Sequence, residues 1–86
     1  MNIQKVFGYN LKKQRLAREW TQAILAGKAG TGSNYIAMIE YAVKFPSSDM
    51  IERIANALEI EPCELFQPVE KEFSNPWNWG ESDNLP

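Results

Sequence analysis

Histidine is absent from this 86-residue sequence, and cysteine occurs once, at Cys63. A zinc site needs several imidazole or thiolate ligands, and a nucleophilic thiol needs a base beside it, so neither has its parts here. A lone cysteine also excludes a disulfide within the chain, in keeping with a reducing compartment such as the cytoplasm. Cys63 reads as a small apolar filler, with no base or cation near it in sequence. Long apolar runs are missing as well. Nothing approaches the roughly 20 residues of a membrane-spanning helix, and the N-terminus lacks the basic-then-apolar pattern of a secretion signal. No catalytic constellation is visible and no cofactor is called for, so an enzyme is not expected.

Excess charge is lacking too, with a net value of −2, but the average conceals a gradient. Residues 1–44 hold Lys5, Lys12, Lys13, Arg15, Arg18, Lys28 and Lys44 against Glu19 and Glu40. Residues 45–86 hold only Arg53 and Lys71 against nine carboxylates. A polyanion would be attracted to one end of such a molecule, although solvated helix faces produce charge runs as well.

What the sequence does have is a dense organising stretch, Thr21 to Glu40. Thr21 is suited to cap a helix through its hydroxyl, and Ile24, Leu25 and Ala29 recur at helical spacing behind it. Gly30 then supplies the positive φ that ends a helix, and Thr31 or Gly32 starts a second one with Ile36 and Ile39 facing inward. Two helices this short need neighbours to bury them. The arrangement is that of a helix-turn-helix, whose second helix can enter a DNA major groove, although many αα-hairpins share the spacing.

The residues at those positions are similar to those of the Cro/repressor-type (XRE-like) helix-turn-helix regulators. The family pattern of Ser/Thr-Gln, Leu-Ala, a turn glycine, a buried Ile and a closing Ile-Glu stands here as Thr21-Gln22, Leu25-Ala26, Gly30, Ile36 and Ile39-Glu40. The match extends to Pro46-Ser47 and Glu64-Leu65-Phe66, covering about residues 5 to 67. The resemblance implies an all-α fold: a compact five-helix, lambda-repressor-like bundle over residues 1–67, with residues 68–86 as a short C-terminal tail. It further implies a bacterial or phage protein that binds double-stranded DNA as a homodimer through the helix at about 32–40. Ser33, Asn34, Tyr35 and Met38 match the DNA-facing positions. Gln22 matches a phosphate-contacting and bracing position, and Lys28 and Lys44 are the nearby cations for phosphate. Arg15 and Glu40 match a structural ion pair joining the first helix to the recognition helix.

Several residues depart from the family pattern. Gly27 should weaken the second helix. Ala42 stands where a glycine commonly ends the recognition helix, so a different exit is expected there. Val43 and Phe45 make the following loop poor in phosphate contacts. No Arg or Lys lies between Gly32 and Ala42, so the commonest guanine contact is missing.

Around the motif, a first helix is expected over 3–19 with Ile3, Val6, Phe7, Leu11 and Gln14 inward and Lys12, Lys13 and Arg18 outward. Gly8 inside it costs about 1 kcal/mol relative to Ala unless close packing requires it. Trp20 is expected as a lid on the helix junction. A fourth helix follows a Ser47 or Ser48 cap, with Met50, Ile51, Ile54, Ala55 and Leu58 as its apolar stripe. A fifth starts at Pro62 with Cys63, Leu65 and Phe66 on its apolar side. The tail is acidic and broken by prolines, yet carries Phe73, Trp77 and Trp79, aromatics that serve contact surfaces. It can fold back, pack on a second subunit or dock another protein, and self-association is the use expected of it. The alternative to a DNA-binding repressor is therefore an antitoxin-like interaction module that binds a partner through residues 68–86.

Overall fold

The computed structural model describes residues 2–69, and the aromatic tail expected to mediate contacts lies almost wholly outside them. The described residues form four α-helices and one 3-10 helix: α1 (Ile3–Ala17), α2 (Gln22–Ala29), α3 (Ser33–Glu40), α4 (Ser48–Leu58) and the 3-10 segment Pro62–Phe66. No strand occurs among them.

Local chemistry accounts for where the helices begin. Asn2, Thr21 and Ser47 each turn a side-chain oxygen onto the backbone N–H three residues on, at Lys5, Ile24 and Met50, satisfying a donor that the helix leaves unpaired. α3 alone starts without such a bond, because its N-cap is Gly32. The endings are just as regular. Behind α2, the amide of Thr31 donates to Ala26 O and that of Gly30 to Gly27 O, with Gly30 at φ 77°.

The same paired bonds close the other three helices around a non-glycine residue in the left-handed region. These residues are Glu19 (φ 60°), Ala42 (φ 63°) and Glu59 (φ 60°). This ending shortens the first helix, which stops at Ala17 and not at residue 19. It also answers the question posed by Ala42. The exit from α3 is the ordinary left-handed one, with Val43 N donating to Met38 O at 2.8 Å, and alanine bears the strain of about 1–2 kcal/mol.

Side chains from every element meet in one core. Phe7, Leu11, Leu25, Ile36, Ile39, Ile54, Leu58 and Leu65 are all essentially inaccessible, each worth about 1.5–3 kcal/mol of burial. α2 packs on α3 and α4, and α1 packs on α3 and the 3-10 segment. Ile3 and Ile24, expected inside, are 57% and 43% exposed. Ile3 stands at the very start of α1, and Ile24 turns away from the side of α2 that carries Leu25 and Ala29.

The expected fifth α-helix is a single short 3-10 piece. Pro62 opens it inside a reciprocal Glu61–Glu64 capping box, and Pro68 disfavours helical backbone at Gln67, so the chain has no room to propagate α geometry. The tighter three-residue turn sends Leu65 fully inside and Phe66 partly so, but leaves Cys63 exposed. The cysteine is therefore a surface thiol and not a core filler.

Two further features join the ends of the domain. Asn10, buried on α1, donates its amide to Leu65 O and Gln67 O, fastening the last turn to the first helix. Arg18, read as an outward cation, instead donates to Leu58 O at 2.8 Å and to Gln14, and thereby satisfies a carbonyl at the C-terminus of α4.

Gly8 and Gly27 predict opposite responses to the same change. A Cβ on Gly8 would sit 2.6 Å from Ile39 O and 2.7 Å from Glu40 O, both backbone atoms, so α1 and α3 meet at a separation only glycine allows. Gly8→Ala should destabilise by about 1–3 kcal/mol through overpacking. A Cβ on Gly27 meets nothing within 4 Å, so Gly27→Ala should stabilise by about 1 kcal/mol. Denaturant midpoints of the two variants, moving in opposite directions, are the check.

Candidate nucleic-acid interface

The candidate surface is built on the start of α3, and a buried charge network determines how that helix lies. Arg15, 6% exposed, faces Glu40, 1% exposed, across the α1–α3 contact. Arg15 donates from Nε to Glu40 Oε2 at 2.7 Å and from Nη2 to Glu40 Oε1 at 3.0 Å, a two-pronged pairing of fork and carboxylate. Its remaining Nη1 donates to Trp20 O at 2.8 Å. Gln22, in the first turn of α2, donates from Nε2 to the same Glu40 Oε1 at 3.0 Å. One carboxylate at the end of α3 therefore holds α1, the α1–α2 junction and the start of α2. Neighbouring Lys12 is held below the usual lysine range, chiefly by burial, with the Glu40 charge acting against the shift and that of Arg15 adding to it.

With its far end fixed in this way, α3 turns its first residues to solvent. Ser33 and Asn34 are exposed, and the uncapped glycine start leaves the first backbone N–H groups without a side-chain acceptor. Tyr35 and Met38 are half-buried, Tyr35 lying against the core, so each offers an edge instead of a whole side chain. Ser33, Asn34, Tyr35 and Met38 thus share one short helix. Gln22 joins them only through Glu40, and its amide nitrogen is already engaged.

The two lysines sit apart from this group. Lys44 is exposed in the connection after α3. Lys28 places its ammonium 5.0 Å from the centre of the Trp20 ring, where cation–π attraction holds it. That recess is walled by Arg18, Ala57, Leu58 and Glu59, and no α3 residue lines it. Trp20 is therefore a cation-stacked strut between α1, α2 and α4.

Sequence reasoning missed the roles of Asn10 and Arg18, and it did not name Glu40 as the partner of the bracing Gln22. Asn10 had a usable signal, as a polar residue between Phe7 and Leu11 on the inward side of α1. Arg18 had none, since its partner is 40 residues away; for Gln22 the resemblance implied the brace but not its partner, 18 residues on. Among the described residues no group of His, Cys, Asp and Glu could hold a metal ion.

A helix-turn-helix domain family matches residues 8–71 of the chain. Among solved structures, the chain resembles the restriction-modification controller protein C.AhdI from Aeromonas hydrophila. The two share 35% identity, with a TM-score of 0.71 over 73% of this chain and 96% of that one. It also resembles a hypothetical transcription factor, NHTF, from Neisseria, with 27% identity and a TM-score of 0.74 over 78% of this chain and 77% of that one. No match was found among curated proteins.

The charge network generates a stability prediction. Arg15→Ala takes both guanidinium bonds from a Glu40 carboxylate that stays buried, so unfolding free energy should fall by about 3–5 kcal/mol. Equilibrium denaturation measures the loss. A change below about 1 kcal/mol would mean that the carboxylate reaches water and that the network does not hold α3.

Proposed function

The chain belongs to the Cro/repressor-type helix-turn-helix family of DNA-binding transcriptional regulators, and from that premise we propose that it is a repressor acting as a homodimer on a pseudo-palindromic operator. The observation that carries this reading is the exposed Ser33–Asn34 turn at an uncapped helix start, braced from behind by the Arg15–Glu40–Gln22 network. Asn34 reads a base edge, with adenine the partner that suits a carboxamide bidentately, and Ser33 bonds a base edge or phosphate. The free N–H groups and the positive end of the α3 dipole add to phosphate attraction. Tyr35 and Lys44 contact phosphate, Met38 adds apolar contact, and Gln22 serves chiefly as the brace. Lys28, stacked on Trp20, contributes at longer range through its charge.

Residues 1–67 act as the DNA-binding domain in this reading, and residues 68–86 as an appended acidic tail. The role named for the Aeromonas relative, control of a restriction-modification system, agrees with gene control as opposed to catalysis. An arginine-free recognition helix places more of the discrimination on Asn34 than in family members that read guanine with arginine. The chain therefore belongs in the cytoplasm with the promoter it controls.

Selection of bound sequences from a random duplex library, at two salt concentrations, tests the proposal. An inverted repeat with half-sites about one helical turn, roughly 34 Å, apart is expected. Recovery of sequence-blind, salt-sensitive binding alone would overturn it. On the recovered operator, Asn34→Ala should lose about 1–3 kcal/mol and relax preference at one position in each half-site. Lys44→Ala should weaken all sequences alike and lower the salt slope by about 1.

A further inference from the structure

Three exposed apolar residues alternate along the connection between α3 and α4: Tyr41 at 52%, Val43 at 67% and Phe45 at 39%. A connection this exposed is ordinarily polar, and apolar residues concentrated at one place mark a contact surface. Phe45, 39% exposed, leans on the core with its ring centre 5.4 Å from that of Phe7 and 6.4 Å from that of Phe66. Ile3, one turn before Phe7 on α1 and 57% exposed, extends the same apolar face.

The chain leaves the domain beside this surface. Phe66 packs its ring 5.2 Å from Phe7, and the Asn10 amide holds the carbonyls of Leu65 and Gln67. The described chain thus leaves the core next to Phe45, through Phe66, and residues 70–86 follow it in sequence. They carry Phe73, Trp77 and Trp79, together with four carboxylates against the single Lys71.

We propose that the Tyr41–Val43–Phe45 surface is the docking site of this chain's own C-terminal segment, residues 70–86, with its tryptophans on the apolar residues. Reach is ample, because a segment of that length spans up to about 60 Å when extended. The tether favours the chain's own segment over one from a second copy, since a short flexible link holds the segment at millimolar effective concentration. Each tryptophan brings roughly 150–250 Å² that water otherwise solvates poorly.

The test uses the full chain, 15N-labelled, as wild type, as Trp77→Ser/Trp79→Ser and as Val43→Asp, with amide spectra recorded over a hundredfold dilution. Val43 is the most exposed of the three residues, so its substitution leaves the core in place. The tryptophan substitutions should shift the amides of Tyr41 to Phe45 equally at every concentration, and Val43→Asp should shift the indole N–H signals of Trp77 and Trp79. Unmoved Tyr41–Phe45 amides would overturn the proposal. Shifts that vanish on dilution would overturn it too, and would assign the surface to a second copy.

Discussion

The Arg15–Glu40 pair is the constraint on which the rest of this domain depends. Taking two charges out of water is expensive, and the return in a dry interior comes only with near-complete hydrogen bonding. That condition is met here, because the guanidinium engages Glu40 twice and Trp20 O once, and Gln22 takes a further lone pair of the carboxylate. Apolar side chains of equal size could fill the volume, but they would tolerate sliding. A fork fixed on a carboxylate does not, so the contribution of the pair is register: it fixes where along α1 the last turn of α3 must lie. Gly8 is the steric half of the same arrangement, since it lets the carbonyls of Ile39 and Glu40 come within reach of α1.

Strain at the helix ends shows how strongly tertiary packing governs this small fold. Glu19, Ala42 and Glu59 all occupy left-handed backbone that L-residues avoid, and glycine takes that role only at Gly30. At Glu19 and Glu59 the ending lets the chain turn immediately into Trp20 and Ile60, both packed against the core. At Gly30 the left-handed backbone, and not a shortage of space, is what calls for glycine, since the nearest atom to an added methyl would be the Arg53 guanidinium at an ordinary 3.5 Å contact.

Much of this was legible in sequence wherever the determinant was local. The Thr21 cap, the Gly30 ending, the Ser47 start and the apolar rows Leu25–Ala29, Ile36–Ile39 and Ile54–Leu58 need only neighbours within a turn or two, and they stand where the spacing predicts. Features determined by distant partners were not legible. Nothing near Arg18 in sequence announces that it caps α4, and nothing near Lys28 announces that it stacks on Trp20. The last element was misjudged for a subtler reason: Pro62 is a good helix start, but Pro68 leaves too short a run for α geometry to propagate. At the candidate site the motif placed α2, the turn and α3, and the resemblance implied a bracing Gln22, while the identity of its partner, Glu40, needed the fold.

Ser33 and Asn34 lie outside the core to which α3 contributes Ile36, Ile39 and Glu40. The residues that hold the helix and those that face outward from it are thus different residues, separated by little more than one turn. Such separation makes the outward pair exchangeable: drift at positions 33 and 34 meets almost no opposition from folding, whereas drift at 36, 39 or 40 is purged. On the proposed function, substitutions at positions 33 and 34 would change the target sequence and leave the fold in place.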